Sequence, residues 1–217
     1  MPYATGRTYH DADSHLMEVS DWLVRYADPG VREKIRPLQL AAAGALAEHA
    51  VTEAEARRGD PVAARALEGR LLTAKGWQAL GAFDPAERSR ALDLLGFHRQ
   101  LVFSTFAATQ FFSDDLDLLY GGTRAHNRAM ADFCAHDPRL VPVGMVPWAD
   151  PARTAEEASE AIALGCRAIL VPSHPPRALS PFHPAYHRFW AVLQDADVPF
   201  MLHVGGGGRP LRPAFHQ

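Results

Sequence analysis

The chain has 217 residues, a net charge of −3 and 47% hydrophobic residues. That is enough for one domain with a sizeable core, and too little charge of either sign to mark a nucleic-acid or anionic-membrane partner. Met1–Arg7 carries no apolar signal-like stretch, the apolar run 38–47 falls short of the roughly 20 residues a membrane span needs, and Cys134 and Cys166 sit far apart outside any CxxC pattern, as two reduced thiols of a cytoplasmic protein would.

In chain order, Tyr9–Leu16 reads as the first strand and Asp21–Tyr26 opens a helical passage. Residues 34–98 are rich in Ala, Arg, Glu and Leu and read as a helical insertion, broken at Gly59-Asp60-Pro61 and at Gly81–Pro85. Its last helix, Pro85–Leu95, stops at Gly96, a C′ glycine. An alternation follows. Gln100–Ser104 is the second strand, Asp114–His136 a helix interrupted near Gly121-Gly122, and Leu140–Val146 the third strand. Asp150-Pro151 caps a helix closed by Gly165, and Ala168–Val171 is the fourth strand. His183-Pro184 opens a helix with Tyr186, Phe189, Trp190 and Leu193 on one face, and Phe200–Val204 is the fifth strand.

Short apolar strands separated by amphipathic helices predict an α/β protein with a parallel sheet covered by helices. Both a (β/α)8 TIM-type barrel and a doubly wound open sheet fit, and both place their sites at strand C-terminal ends. The polar residues expected there are His15, Thr105, Trp148, Ser173, His174 and His203.

Chemistry concentrates at Asp11-Ala12-Asp13-Ser14-His15 and Met201-Leu202-His203-Val204-Gly205. Residues two apart in a strand share a face, so Asp13 and His15 project together as a carboxylate beside an imidazole. That pair is a normal start for a divalent-metal site, and His203, ending another apolar run, supplies a third donor. Asp11 is assigned to local backbone hydrogen bonding and Glu18 to a structural role. Ser173-His174, after the fourth strand, either contacts a substrate or forms an ordinary stiff loop; Trp148 is a further candidate substrate contact. Asn127 is read as a surface or supporting group, and Ser104 has no neighbouring histidine and acid in sequence to mark a nucleophile. Gly205–Gly208 precede Arg209 and Pro210 instead of a helix, so a loop beside the site is preferred to a phosphate cradle.

The order and spacing of these segments resemble a family. Asp11–Glu18, His126–Cys134, Asp137–Leu140, Val143–Pro147, Leu164–Ile169, His183–Tyr186 and Val198–Gly205 are similar to successive motifs of the amidohydrolase-related proteins, the branch that includes aminocarboxymuconate-semialdehyde and resorcylate decarboxylases. The resemblance implies a metal-dependent (β/α)8 barrel in which Asp13 and His15 match the strand-one ligand pair and His203 the strand-five histidine. Asp13 stands where many members have histidine. The family also draws a histidine from strand six and an aspartate from strand eight, and no residues past Gln217 are present to supply them. The expectation is therefore one partial barrel domain over residues 1–217, truncated after strand five, with its general acid or base outside the chain.

The activity so implied is that of a metal-dependent hydrolase or a non-oxidative decarboxylase acting on a small carboxylated or cyclic substrate. The expected cofactor is a divalent ion, Zn²⁺ by the usual count of three protein ligands in catalytic zinc sites. A homo-oligomer is compatible with the sequence. The competing reading is a truncated, non-catalytic barrel fragment.

Overall fold

The computed structural model describes residues 2–3, 5–38, 40, 44, 46–172 and 179–203. Five strands, β1 (Tyr9–His15), β2 (Phe97–Phe103), β3 (Leu140–Met145), β4 (Ala168–Leu170) and β5 (Phe200–Met201), lie side by side in sequence order. All four pairings are parallel. A doubly wound sheet would reverse its order about the first strand, and this one does not.

The sheet also curls. Five strands spaced about 4.8 Å apart in a flat sheet would hold β1 and β5 roughly 19 Å apart. Yet His15, at the end of β1, touches His203, two residues past β5, with ring centroids 5.0 Å apart. Phe103, from β2, packs against both rings. The five strands therefore form an arc of a barrel. Phe103, Val143 and Ala168 form a small apolar cluster with Leu101, Leu170 and Met201, all of them strand residues.

Between β1 and β2 come α1 (Pro29–Arg32), α2 (Ala47–Arg57), α3 (Pro61–Leu67) and α4 (Pro85–Leu95). After β2 come α5 (Ala108–Phe111) and α6 (Leu116–Ala135); α7 (Pro151–Ala163) and α8 (His187–Asp195) follow β3 and β4. Start signals are aspartates. Asp60, Asp84, Asp115 and Asp150 each accept two backbone N–H groups at the head of α3, α4, α6 and α7. Three of the four are followed by proline at the first helical position, where the missing N–H costs nothing. Gly96 ends α4 at φ 83°, in the left-handed region, as its sequence position predicts.

Three expectations fail. Residues 20–25 form successive turns in place of a helix, with Trp22 and Tyr26 donating backbone N–H to carbonyls three residues back. Asp21 there is drawn off by Arg25 and Arg58. The helix across Gly121-Gly122 is continuous. A Cβ built on Gly121 would sit 2.3 Å from Val31, and one on Gly122 2.2 Å from Phe111. These glycines let α6 approach α1 and α5 closely and are not breaks. Strand two also starts at Phe97, three residues before the expected Gln100.

The larger core joins the β1–β2 side of the sheet to the turns after β1 and to α6, through Leu16, Leu23, Leu92, Val102, Phe111, Tyr120 and Met130 among others. A second cluster, built on Trp148, Ala158, Ile169, Phe189 and Leu193, seats α7 and α8. Among the described residues no helix is long and apolar enough to cross a membrane.

Candidate metal centre

β1 brings the side chains of Asp13 and His15 to one point with the help of an irregularity. Asp11 pairs with Gln100 and Ser14 with Val102, so three steps along β1 oppose two along β2. Such a bulge re-aims side chains at a strand end. Buried Arg88, from α4, holds the bulged segment: it donates to the Ser14 hydroxyl at 2.6 Å and to the His15 carbonyl at 2.7 Å. Asp11 accepts from the Asp13 backbone N–H, the local role assigned to it, and also from the Gln100 side chain on β2.

Asp13, His15 and His203 then converge. Asp13 Oδ1 lies 2.8 Å from His203 Nε2 and 3.2 Å from His15 Nε2, and the two Nε2 atoms are 3.3 Å apart. The three donor atoms lie within 4.8 Å of one another. Asp13 is exposed, while the two histidine rings are partly buried. The His203 ring beside it, first through the hydrogen bond to the carboxylate, holds the Asp13 carboxyl below the usual carboxylate range.

The donor set fits a cation. Ligand atoms held at about 2.1 Å by one ion lie roughly 3.0–3.4 Å from one another; the two spacings to His15 Nε2, 3.2 and 3.3 Å, fall in that range, and the Asp13–His203 spacing, 2.8 Å, is that of a direct hydrogen bond. Oxygen with two imidazole nitrogens suits borderline divalent ions. Lone pairs facing one point without a proton for each are stabilised by a positive charge placed among them.

Of the other candidates, Trp148 is buried. Its indole N–H donates to the Pro172 carbonyl, and its ring packs on Tyr186, Phe189 and Trp190. Its apolar area and its N–H are both spent inside the second core cluster, so a packing role replaces the substrate contact expected of it. Ser173, His174 and Gly205–Gly208 lie outside the described residues.

Glu18 is fully buried, and its carboxylate accepts the backbone N–H groups of Thr105, Phe106 and Ala107 at 2.8–3.0 Å. Sequence reasoning missed a polar chain beside this loop. Ser104, with no histidine near it in sequence, has His126 Nε2 2.9 Å from its hydroxyl, and His126 Nδ1 lies 2.9 Å from Asn127 Oδ1. Asn127 is buried, not on the surface, and its amide pairs with both the N–H and the carbonyl of Met145 at the end of β3. Burial pushes His126 down to about 4. So weak a base does little for a serine nucleophile, and the chain reads as a pin between α6, β2 and β3. Cys134 and Cys166 are buried free thiols, each pushed up to about 12 by burial.

Known proteins bear on this geometry. The chain matches an amidohydrolase from Mycobacterium avium subsp. paratuberculosis K-10 with a TM-score of 0.65 at 17% identity, covering 92% of this chain and 59% of that one. It matches a dihydroxybenzoic acid decarboxylase from Polaromonas sp. JS666, solved with manganese and 2-nitroresorcinol, with a TM-score of 0.57 at 18% identity, covering 91% and 49%. It matches 5-carboxyvanillate decarboxylase from Novosphingobium aromaticivorans DSM 12444, also solved with manganese, with a TM-score of 0.54 at 18% identity, covering 91% and 50%. At these identities the likeness is one of fold, and the chain spans about half to three fifths of each solved chain. No curated protein matches the sequence. The profile of the amidohydrolase family matches residues 11–217, nearly the whole sequence, and the chain belongs to that family.

Proposed function

We propose that the chain carries part of the active site of a metal-dependent decarboxylase or hydrolase, with Asp13, His15 and His203 as ligands to one divalent ion. The observation that carries this reading is their convergence from opposite edges of the sheet. A bound divalent ion supplies Lewis acidity, polarising a carbonyl or offsetting negative charge that develops on a substrate.

The chain's own residues hold and shape that position. Asp13 contributes the one negative charge of the set. His15 and His203 present Nε2, and Phe103 lies against both rings and fixes their apolar faces. Ser173 and His174, which follow β4 in sequence, are proposed as substrate contacts.

Two solved relatives of this fold are decarboxylases of hydroxylated benzoates, which favours non-oxidative decarboxylation of a small aromatic carboxylate over hydrolysis. The same two structures hold manganese, whereas the ligand count alone suggested Zn²⁺; both ions are admitted by one oxygen and two nitrogens. The test is retention of Mn²⁺ or Zn²⁺ by the 217-residue chain, by elemental analysis after dialysis, followed by carbon dioxide release from a panel of hydroxybenzoates and a parallel ester and amide panel. The reading requires retained metal that is lost in His15→Ala and in His203→Ala. Equal metal in the parent chain and both variants sinks it.

A further inference from the structure

We propose that Thr105 is a positioning residue that fixes the His15 ring in one tautomer, Nδ1 protonated and Nε2 free, and that Glu18 holds Thr105 in place to do so. The inference deepens the metal reading of the same site and rests on it for its functional meaning.

The argument is one of proton count. The Thr105 hydroxyl lies 2.6 Å from the Leu16 carbonyl oxygen, 3.3 Å from His15 Nδ1 and 3.7 Å from Met17 Sδ. It has one proton. A carbonyl oxygen only accepts, and two oxygens 2.6 Å apart need a hydrogen between them, so the proton goes to Leu16. What the hydroxyl then offers His15 is a lone pair. Nδ1 must donate to it, and in a neutral ring that leaves Nε2 with its lone pair exposed. Nε2 is the atom that faces Asp13 and His203, and the Asp13 oxygen there already accepts the shorter bond, 2.8 Å, from His203 Nε2, against a 3.2 Å approach from His15.

Glu18 supplies the rigidity. Thr105 follows β2, and loop backbone of this kind is ordinarily free to shift. Here the buried Glu18 carboxylate receives three consecutive backbone N–H groups, beginning with that of Thr105 itself. The clamp fixes the Thr105 backbone, and the Leu16 carbonyl fixes its hydroxyl. Both anchors come from the segment just after the ligand strand, so the partner of Nδ1 is registered to the same stretch of chain as His15.

The test reads the tautomer directly. Long-range ¹H–¹⁵N correlation spectra of the metal-free chain, recorded above the imidazole titration range, distinguish Nδ1–H from Nε2–H. The expected parent spectrum shows His15 as Nδ1–H. Thr105→Val keeps the branched shape and removes the acceptor; His15 should shift toward Nε2–H, and Mn²⁺ affinity should fall about 10-fold or more, the usual range for an outer partner of a metal-bound histidine. Thr105→Ser should restore both. A Thr105→Val chain that keeps the Nδ1–H signal overturns the inference, whatever its metal affinity, and leaves the metal reading standing. A parent chain that binds no metal yet shows the Thr105-dependent tautomer supports the positioning and fails the metal reading alone.

Discussion

Asp13 Oδ1 and His203 Nε2 lie 2.8 Å apart although 190 positions separate them in sequence. The contact joins the first strand to the segment after the last, and only a curled sheet permits it. It also places a carboxylate that is largely in water against a ring that is largely out of it.

Asp13→Asn should separate charge from shape. Asparagine can still accept a hydrogen bond from His203, but it brings no negative charge to the ion. Metal affinity is expected to fall by about 10–100-fold, the scale of perturbed metal sites. Thermal stability of the metal-free chain should barely move, because an exposed ion pair contributes little. Titration calorimetry with Mn²⁺ and a melting curve check both. A large drop in melting temperature with unchanged affinity would mark the pair as structural.

Much of this arrangement was legible in the sequence because its signals are local. Asp-Pro at 84–85 and 150–151 and glycines at 96 and 165 punctuate the helices where the chain punctuates them. Asp13 and His15 announce themselves by two-residue spacing, and His203 by closing an apolar run. What escaped depends on contacts between distant segments. Nothing near Ser104 in sequence points to His126, because helix α6 must dock before they meet. The Gly121-Gly122 pair reads as a break until Val31 and Phe111 are seen against it. Trp148 sits at a strand end, as a substrate contact would, but α8 covers it. The bulge in β1 leaves no mark, since its anchor, Arg88, arrives from 74 positions away.

Gly121→Ala tests the close approach of α6 to α1. Alanine in a helix interior is favoured over glycine by about 1 kcal/mol. Against that, the new methyl would sit 2.3 Å from Val31 Cγ2 and 3.2 Å from its Cβ, which is too near the backbone for a simple rotamer change to relieve. Overpacking of this kind costs roughly 1–3 kcal/mol, so the clash should win and the variant should be less stable. Val31→Ala in the same chain opens the space, and the double variant should recover stability relative to Gly121→Ala. Urea denaturation of the four chains decides it; an unchanged or raised midpoint for Gly121→Ala alone would show that the helices do not meet this closely.

The pH dependence of stability should carry opposed contributions from buried groups: His126 on one side, and on the other Glu157 together with Glu18, whose carboxyl burial also raises. His126 is pushed from 6.5 down to about 4 by burial. Between those values the unfolded chain takes up a proton that the folded chain refuses, so stability is lost as pH falls from 6.5 toward 4, by about 3 kcal/mol at the limit. Glu157 is raised from 4.5 to about 7 by burial, against the pull of Arg124. The folded chain keeps a proton there that the unfolded chain releases, so stability is lost as pH rises from 4.5 toward 7. In the parent chain the two slopes oppose each other across the shared window. Glu157→Gln should shift the slope toward that of His126, with unfolding midpoints that drop more on acidification below 6.5 than in the parent chain. His126→Gln should expose the reverse, with midpoints that drop as pH rises toward 7. Each substitution also shifts the baseline by its lost contacts, so the readout is the slope of urea midpoint against pH, not its level. A slope unchanged from the parent in Glu157→Gln would show that Glu157 titrates at its ordinary value in the folded chain, and an unchanged slope in His126→Gln would show the same of His126.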